Sequence, residues 1–359
     1  MSSLHVVIPA GGAGTRLWPL SRQSWPKYLL EVERERSLLR AAIERVEPLA
    51  ADVCVVTSPA TARLVAEQVD GAAVPTEVMA EPSPKNSMPA IGLAAAIIEY
   101  RHGRDALVGS FAADHAIADE QRFRRVVSEA MRAADHGWIV TIGITPTHPA
   151  TGYGYIETGA SIDGLAARGV TSFTEKPDAT RAGHYLARGG YLWNAGMFIA
   201  RCGVLLDALA EEHPEMARGL RALARLDRPS RQANEIWDAL PAIAIDHAVA
   251  EPQASAGRVA VCEAGDIGWS DVGDYAALAE CTRDADGIAR VGDITVTGID
   301  APGSLAAASA ASQGEHVIVC GIPDAIVVRA GDTTLVTTRA WAGRIREVRE
   351  RASHDRSSE

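Results

Sequence analysis

Residues 10–27 read AGGAGTRLWPLSRQSWPK, and this stretch is the most informative part of the sequence about the fold. They follow a short apolar run, residues 4–9, that predicts a buried strand. Glycines directly after a strand let backbone N–H groups approach an anion closely, and Arg16 and Lys27 add positive charge to the same loop. The stretch therefore predicts a phosphate-binding loop at the end of the first strand.

Two familiar phosphate-binding motifs do not fit the spacing of this loop. A P-loop has Lys and then Ser or Thr directly after its second glycine, whereas Gly14 is followed by Thr-Arg. In a dinucleotide-binding fingerprint, Leu17 would stand where the third glycine or alanine belongs, and a Trp-Pro pair follows where the helix should begin. An ordinary glycine turn is the remaining alternative, and the two cations, Arg16 and Lys27, favour the phosphate loop over it.

Composition limits the classes of function. The chain has 359 residues, 47% of them hydrophobic and 23% charged, which is typical of a globular protein with ample core material. The net charge of -11 argues against a nucleic-acid-binding surface, which needs clustered positive charge. No stretch is apolar enough to cross a bilayer, and the five cysteines form no metal-binding pair, so we expect a cytoplasmic protein with no membrane or nucleic-acid partner.

Strands and helices alternate along the first 144 residues. This order predicts an α/β fold with a doubly wound, mostly parallel, Rossmann-like sheet, in which ligands bind at the carboxyl ends of the strands. The opening loop and residues 112–115 both follow such ends. The predicted segments are helix 38–49, strand 53–57, helix 61–69, strand 76–80, helix 89–100, strand 106–111, helix 121–134 and strand 138–144.

The rest of the chain changes character twice. Residues 152–173 show short strands with glycine turns, which predicts an antiparallel excursion. Helical periodicity then returns and a further strand follows, so we expect a catalytic domain over residues 1–284. Beyond it, residues 285–359 predict a small all-β domain with a closing helix and a disordered tail after Ala352.

Two carboxylates are candidate metal ligands. Asp114 follows an apolar strand, and Asp271, in Gly-Trp-Ser-Asp-Val-Gly, follows a second strand-like run. Two carboxylates together with substrate phosphates suit Mg²⁺, which keeps waters and takes few protein ligands. For Asp114 alone, capping of the next helix is an equally good interpretation.

Three further segments are candidate binding elements. Lys176 lies at a strand end in Glu-Lys-Pro, and a solvated turn is its alternative. Asn194 lies among apolar and glycine residues, where its amide could bind sugar hydroxyls or could simply be buried in a turn. The polar loop of residues 81–87 precedes a helix, so Asn86 or Ser87 could cap that helix as well as bind a ligand.

Taken together, these motifs resemble those of the sugar-phosphate nucleotidylyltransferases, most closely the mannose-1-phosphate guanylyltransferases, also called GDP-mannose pyrophosphorylases. The Trp-Pro after Thr-Arg-Leu favours this branch over the glucose-1-phosphate enzymes. The motifs that support the resemblance are, in chain order, AGGAGTRLWPLSRQSWPK, EPSPKNSMPAIGLAA, FAADH, TGYGYIETG, FTEKPD, YLWNAGMF and GWSDVGDY.

The resemblance implies a reaction, its ligands and an architecture. The family transfers the nucleotidyl group of a triphosphate, here GTP, to a sugar 1-phosphate, here α-D-mannose 1-phosphate, with Mg²⁺ as cofactor and pyrophosphate as the second product. It also admits a short left-handed β-helix at the C-terminus and a homodimer. Another sugar 1-phosphate, a heptose or glucose phosphate, and a non-catalytic nucleotide-sugar sensor are the alternatives.

The resemblance also implies roles for individual residues. Arg16, Lys27 and Lys176 are the implied catalytic cations, and Asp114 and Asp271 the implied metal ligands. Those implied to bind the nucleotide are Ala10, Gly11, Gly12, Gly14, Thr15, Arg16, Lys27, Lys85, Asn86, Ser87 and Asp114. Those implied to bind the sugar phosphate are Gly154, Glu175, Lys176 and Asn194.

Overall fold

A computed structural model of the chain describes residues 3–12, 14–33, 36–226, 230–309, 312 and 314–357. The chain divides into two compact units, each built from segments that are distant in sequence. The first unit consists of Met1–Gly11, Ile43–Ala112 and Ile117–Gly268. The second consists of Gly12–Ala42, Ala113–Ala116 and Trp269–Glu359. The two units do not correspond to the predicted domains, residues 1–284 and 285–359. The domain boundary between residues 284 and 285 stays a prediction.

Strands and helices alternate through most of the described chain. The strands are β1 (Leu4–Ala10), β2 (Glu31–Glu33), β3 (Arg36–Ser37), β4 (Ala50–Thr57), β5 (Thr76–Ala80), β6 (Leu107–Ser110), β7 (Ile139–Ile144), β8 (Tyr155–Ser161), β9 (Arg168–Thr174), β10 (Tyr191–Arg201), β11 (Val259–Gly265), β12 (Ala289–Val291), β13 (Ile294–Ile299), β14 (Leu305–Ala308), β15 (Glu315–Cys320), β16 (Ala325–Ala330) and β17 (Thr333–Thr338). The helices are α1 (Leu38–Val46), α2 (Ala62–Val69), α3 (Ser87–His102), α4 (Glu120–Asp135), α5 (Ala179–Arg188), α6 (Cys202–Glu212), α7 (Pro214–Leu223), α8 (Arg231–Ala239), α9 (Glu251–Ser255), α10 (Tyr275–Cys281) and α11 (Ile345–Ser357).

The first unit is built on one large mixed sheet, with strand order β5-β4-β1-β6-β10-β7-β11-β9-β8. β5, β4, β1 and β6 pair in parallel, as do β7 and β11. β1 has parallel neighbours on both sides and is buried along nearly its whole length, which explains why its sequence is a continuous apolar run rather than an alternating one. The predicted α/β fold with a Rossmann-like sheet is confirmed.

Two strands, β9 and β10, depart from the parallel arrangement. β10 pairs antiparallel with β6, β7 and β8, and its pairing with β7 is irregular between Asn194 and Phe198, where Gly196 has a φ of 66°. A bulge of this kind re-aims the neighbouring side chains. β8 and β9 form an antiparallel hairpin, so the predicted antiparallel excursion is confirmed.

The core of the first unit depends on a helix that is apolar on every side. α3 buries ten of its residues, because it packs against α6 and α7 as well as against the sheet. A helix covered on several faces needs no polar stripe. α4 shows the opposite pattern, with a buried apolar face and an exposed face rich in arginine and glutamate.

The second unit contains the strands near the C-terminus. β12, β14 and β16 pair in parallel in one sheet and β13 pairs in parallel with β15 in another, so consecutive strands alternate between two sheets, as they do in a β-helix. The predicted small β-rich region is confirmed, whereas the left-handed coil stays a prediction. β17 then turns back antiparallel to β16.

The closing helix is longer than predicted. α11 runs to Ser357, so the backbone after Ala352 is helical where a disordered tail was expected. Arginine and glutamate favour helix, and residues 346–351 contain five of them, but nothing in the sequence after Ala352 explains the further extension. Among the helices of the described residues, none has both the length and the apolar character required to cross a bilayer.

Candidate active site

The glycine loop that follows β1 closes on itself through local hydrogen bonds. Gly14 has a φ of 60°, and the carbonyl of Gly14 accepts from the Leu17 N–H at 3.0 Å and from the Ser21 hydroxyl. The hydroxyl of the buried Tyr275 donates to the Leu17 carbonyl at 2.8 Å. A Cβ on Gly14 would lie 2.5 Å from the Cβ of Lys27, so only glycine lets this backbone approach the lysine so closely.

Lys27 is the buried cation of this loop. Its side chain is 9% exposed, and its ammonium lies 2.5 Å from Asp114 Oδ2 and donates to the Asp271 carbonyl at 2.6 Å. Burial opposes ionisation of Asp114, but the charges of Lys27 and of the neighbouring His115 outweigh it and hold the pKa of that carboxyl below its usual value. One lysine thus connects both predicted metal ligands.

Backbone pairing brings the two carboxylate segments together. Ala116 and Ser270 form an isolated antiparallel bridge, each N–H donating to the other's carbonyl at 3.0 Å. The Trp269 indole donates to His115 Nδ1 at 3.2 Å. We call Gly14, Arg16, Lys27, Asp114 and Asp271 the phosphate set.

The alternative role for Asp114, capping the next helix, is wrong. Helix α4 begins at Glu120, and Asp119 is its cap, since the Asp119 carboxylate accepts from the Arg122 N–H at 2.8 Å. Asp114 lies too early in the chain to cap that helix. Its carboxylate is instead committed to Lys27.

Arg16 and Asp271 lie along the backbone of Gly273. A Cβ on Gly273 would lie 2.9 Å from an Asp271 oxygen and 3.3 Å from a nitrogen of the Arg16 guanidinium. The Asp271 carboxylate also accepts from the Gly273 N–H at 3.0 Å. Arg16 is exposed, so its charge is accessible to a ligand.

The oxygen atoms of the phosphate set suit a hard divalent cation. The Lys27 ammonium lies between a carboxylate and a backbone carbonyl, which shows that oxygen atoms gather around positive charge here. Mg²⁺ prefers oxygen ligands and is commonly held by one or two carboxylates with substrate phosphates and water. Asp114 and Asp271 offer carboxylate oxygens of the kind that Mg²⁺ prefers, and their role as metal ligands stays a prediction.

The predicted sugar-phosphate residues also assemble, in the first unit. A Cβ on Gly154 would lie 2.6 Å from Glu175 Oε2, so the absence of a side chain at Gly154 lets the carboxylate lie against the backbone. Lys176 is 63% exposed, pairs with Glu175 and has a φ of 45°. A non-glycine residue in this backbone region is uncommon and is often found at functional sites. We call Gly154, Glu175, Lys176 and Asn194 the sugar set.

Asn194 lies in a strand rather than in the buried turn considered above. Its Oδ1 accepts from the Thr141 hydroxyl at 2.9 Å and from the Gly196 N–H at 3.1 Å. Its amide nitrogen donates to Asp246 Oδ1 at 2.8 Å. The side chain is thus held in one orientation by partners on β7, β10 and the segment after α8.

The polar loop of residues 81–87 is held mainly by its own structural contacts. The Lys85 ammonium donates to the carbonyls of Asp238 and Leu240, and Asn86 Oδ1 accepts from the Ser87 N–H where α3 begins. The Ser87 hydroxyl accepts from the Ile245 N–H at 3.0 Å. The helix-cap interpretation of Asn86 is therefore confirmed. A nucleotide-binding role for these three residues stays a prediction.

Glu81 is a candidate functional residue that the sequence reasoning missed. It directly follows β5, is 6% exposed and lies close enough to Gly11 that a Cβ there would be 3.5 Å from Glu81 Oε1. Its Oε2 has no hydrogen-bond partner within the described residues, and burial raises the pKa of this carboxyl to about 7. The sequence shows only that Glu81 follows a predicted strand; its position beside Gly11 comes from the fold.

Sequence reasoning also missed a second cluster, at the amino end of β1. His5, Asp52 and His102 are the group of three potential metal ligands found within the described part of the chain. His5 Nδ1 lies 2.8 Å from Asp52 Oδ2, and the two histidine rings stack with centroids 4.2 Å apart. Stacked rings do not direct both lone pairs at one ion, so this arrangement is better explained as a packed hydrogen-bonded pair than as a metal site.

The sequence of this chain is similar to one family of proteins. The family profile described as nucleotidyl transferase matches residues 5–286. A xanthan biosynthesis protein, XanB, of Xanthomonas campestris is 37% identical, over all of this chain and 74% of that protein. A mannose-1-phosphate guanylyltransferase of Escherichia coli K12 is 36% identical, over 99% of this chain and 74% of that protein.

A solved structure gives the same result for the fold. The structure described as mannose-1-phosphate geranyltransferase from Thermus thermophilus is 28% identical to this chain. It superposes with a TM-score of 0.86, over 98% of this chain and 100% of that one. The similarity thus extends beyond the family profile into the C-terminal strands.

Proposed function

Because this chain belongs to the nucleotidyl transferase family, we propose that it transfers GMP from GTP to α-D-mannose 1-phosphate and releases GDP-mannose and pyrophosphate. The family and the names of the relatives support the coarser statement, nucleotidyl transfer to a sugar phosphate. The arrangement of the two residue sets supports the finer one.

The phosphate set is proposed to bind the triphosphate. The glycines of the loop after β1 offer backbone N–H groups without side-chain obstruction, and Arg16 and Lys27 supply charge to the β and γ phosphates. The observation that most supports this role is the Lys27 ammonium bound between Asp114 and the Asp271 carbonyl. An ammonium held there is already in place to neutralise the charge that develops on the leaving pyrophosphate.

The proposed reaction is an in-line displacement at the α-phosphorus. An oxygen of the sugar phosphate attacks the α-phosphorus of GTP, the bond from that phosphorus to the β-phosphate oxygen breaks, and the electron pair leaves with pyrophosphate. The second pKa of a phosphate monoester is about 6, so the nucleophile is already mostly ionised at neutral pH. The protein therefore needs cations and positioning rather than a general base.

Magnesium fits this scheme through Asp114 and Asp271. When bound, Mg²⁺ would neutralise phosphate charge and restrict the orientation of the triphosphate. The chain's own contribution is the Ala116–Ser270 bridge, which pairs the two segments, and Lys27, which helps to hold the pKa of the Asp114 carboxyl below its usual value.

The sugar set is proposed to bind mannose 1-phosphate. Lys176 is exposed and cationic and is assigned to the phosphate of the sugar, while Glu175 offers a carboxylate to sugar hydroxyls. Gly154, directly before β8, leaves the space that the Glu175 carboxylate occupies.

Glu81 supports guanine as the base. Guanine presents N1–H and the N2 amino group as neighbouring donors, which match the two oxygens of one carboxylate. Glu81 is buried beside Gly11 with an unpartnered oxygen, and such a group gains most from a ligand that donates to it. Adenine and the pyrimidines lack that donor pair.

Pyrophosphate release from a panel of substrates tests the proposal. The chain is incubated with Mg²⁺, with each of GTP, ITP, ATP and UTP, and with mannose, glucose and heptose 1-phosphates. We expect GTP with mannose 1-phosphate to be the best pair, and ITP, which lacks the N2 amino group, to be weaker. No turnover of GTP with mannose 1-phosphate would overturn the proposed function, and turnover of another pair would redirect it within the family.

A cytoplasmic location and a homodimer accompany this proposal as predictions. The reaction consumes a nucleoside triphosphate and a sugar phosphate, both of which are cytoplasmic metabolites in the simplest case. Sedimentation of the purified chain measures the oligomeric state directly.

A further inference from the structure

Val272, which directly follows Asp271, has a strained backbone conformation. Its φ is 45°, in the left-handed region. A β-branched residue is a rare exception there, because its side chain is forced against the adjacent backbone. The other non-glycine residues with a positive φ in the described part of the chain are asparagine, aspartate and lysine. Strain that persists directly beside a site residue points to a function.

The peptide group between Asp271 and Val272 is held at both of its polar atoms. The Asp271 carbonyl accepts from the Lys27 ammonium at 2.6 Å, and the Val272 N–H donates to the Ser270 hydroxyl oxygen at 3.1 Å. A peptide group is planar and rigid, so its carbonyl and its N–H turn together. If φ at Val272 became negative by rotation of this plane, the carbonyl would turn away from Lys27. The contact with Lys27 is therefore coupled to the strained conformation of Val272.

The side chain of Val272 is packed in the core of the second unit. It is 0% exposed and belongs to an apolar cluster that includes Leu17 of the glycine loop and Ala116. Because protein interiors are closely packed, a change in the direction of this side chain would create a clash or a void. The segment is also fixed on both sides, since Ser270 pairs with Ala116 and Asp274 caps α10. Packing thus offsets the strain and holds the conformation.

We propose that Val272 is a positioning residue for Lys27. Packing of the valine side chain keeps the Asp271 carbonyl directed at the Lys27 ammonium. This carbonyl and the Asp114 carboxylate then keep the ammonium where charge develops on the leaving pyrophosphate. The inference rests on the role of Lys27 in the proposed function. A valine that only filled the core would contribute to stability and leave the position of Lys27 unaffected.

Two substitutions at Val272 separate these roles. Val272→Ala removes the packed methyl groups but keeps Cβ, so the left-handed conformation stays unfavourable and the peptide group can turn. Val272→Gly also removes Cβ, and glycine adopts this conformation without steric cost. We expect kcat to fall by about tenfold or more in Val272→Ala and by no more than about threefold in Val272→Gly. KM for mannose 1-phosphate should stay within about twofold in both, because neither substitution changes the sugar set.

Val328 is the matched control. It is also 0% exposed and belongs to the same apolar cluster, but it lies in strand β16 and has no positive φ. Val328→Ala and Val328→Gly should lower the free energy of unfolding, and the glycine variant should lose more. In the folded chain, both should leave kcat within about twofold of wild type, because they do not alter the peptide group that faces Lys27.

The accessibility of Lys27 gives a readout that needs no substrate. The folded variants are treated with acetic anhydride at one pH, and acetylation of Lys27 is followed by mass spectrometry. Lys27 should be protected in wild type and in Val272→Gly, and it should react about fivefold faster or more in Val272→Ala. Val328→Ala should be labelled at the wild-type rate.

The two measurements decide the inference together. Unchanged kcat or unchanged labelling in Val272→Ala overturns it while the proposed function stands. A lower kcat in Val272→Gly than in Val272→Ala also overturns it, because that is the order expected for a valine that only fills space.

Replacement variants cover a failure to fold. If Val272→Ala does not fold, Val272→Cys keeps Cβ and part of the apolar contact. If Val272→Gly does not fold, Val272→Asn supplies another residue that tolerates the left-handed conformation. A wild-type chain that is inactive on every sugar 1-phosphate overturns the proposed function, and the labelling order alone then decides whether Val272 positions Lys27.

Discussion

The phosphate set and the sugar set solve the problem of binding in opposite ways. In the phosphate set, the buried Lys27 is paired with Asp114 and with the Asp271 carbonyl. In the sugar set, the one carboxylate, Glu175, pairs with the exposed Lys176, and the Asn194 amide is oriented by hydrogen bonds from Thr141 and Gly196. Under the proposed function, the difference means that the polyanion is bound by a cation already fixed in place, whereas the sugar is bound by an oriented amide and a carboxylate.

The two sets also use glycine differently. Gly14 adopts a left-handed conformation and lies against the stem of Lys27, so it is required by both backbone and space. Gly154 has an ordinary backbone conformation and is required only by the space that Glu175 occupies. Substitutions at these positions therefore separate the two sets.

The largest expected effect is at the phosphate set, from Asp114→Asn. This change keeps the shape of the side chain but removes the charge that pairs with Lys27 and that fits a magnesium ligand. We expect Mg²⁺-dependent pyrophosphate release to fall by about a thousandfold or more. Asp284→Asn, which removes a carboxylate of the same unit that pairs with Arg290, should leave turnover within about twofold. Near-normal turnover in Asp114→Asn would show the metal assignment to be wrong.

Gly14→Ala is expected to have the next largest effect. The new methyl group would lie 2.5 Å from Lys27 Cβ, so the lysine must move, and a displacement of about 1 Å at such a group can cost about a hundredfold in rate. The left-handed backbone adds about 1 to 2 kcal/mol of instability.

Gly331→Ala is the matched control for Gly14→Ala. Gly331 has a φ of 61° and open space around its Cβ position, so it carries the backbone cost alone. Denaturant unfolding should show a loss of stability in both variants, larger in Gly14→Ala because of the added clash, while only Gly14→Ala loses turnover. Equal turnover in the two variants would contradict the role of the close approach to Lys27.

Gly154→Ala should act on the sugar alone. The methyl group would lie 2.6 Å from Glu175 Oε2 and must displace that carboxylate, so we expect KM for mannose 1-phosphate to rise by about tenfold while KM for GTP stays within about twofold. Gly152→Ala, in the same turn, meets nothing within 4 Å and should change neither constant. A rise in KM for GTP in Gly154→Ala would mean that the two sets do not divide the substrates as proposed.

The smallest expected effect is a change in the free energy of unfolding with pH, caused by Glu81. Asp114 has a lowered pKa, so its charge stabilises the fold at neutral pH and that stabilisation is lost in acid. Glu81 has the opposite shift, from 4.5 to about 7, so the fold loses stability as the pH rises through that interval.

Glu81→Gln should remove this loss. We expect the variant to match wild type at pH 4.5 and below and to be more stable above pH 7, by about 3 kcal/mol at most. Unfolding by denaturant at a series of pH values measures the difference. A stability difference that does not depend on pH would contradict a raised pKa for Glu81.

Much of the fold could be predicted because its signals are local. The apolar run of β1, the glycine loop after it and the strand–helix alternation each lie within a few residues of one another. The reversal of β10 could not be predicted, since β10 is as apolar as a parallel strand and only its long-range pairing with β6, β7 and β8 determines its direction.

In the candidate site too, the residues with a local sequence signal could be predicted and those that depend on long-range contacts could not. Asp114 and Asp271 could be selected because each follows an apolar strand-like run. The hydrogen bonds that orient Asn194 could not be predicted, because Thr141 and Asp246, which make them, are 53 and 52 residues away in the sequence. Glu81 was overlooked because a glutamate after a strand is common, and only its burial without a partner for Oε2 within the described chain distinguishes it.

The bridge between Ala116 and Ser270 has a consequence for how this chemistry can be inherited and transplanted. It joins segments more than 150 residues apart through main-chain atoms only. Substitution of either residue by any amino acid except proline keeps the donors and acceptors of the bridge, so the bridge itself does not depend on the identity of these two side chains. Transfer of Asp114 and Asp271 to another scaffold would therefore also require this backbone contact, which is not visible as a sequence motif.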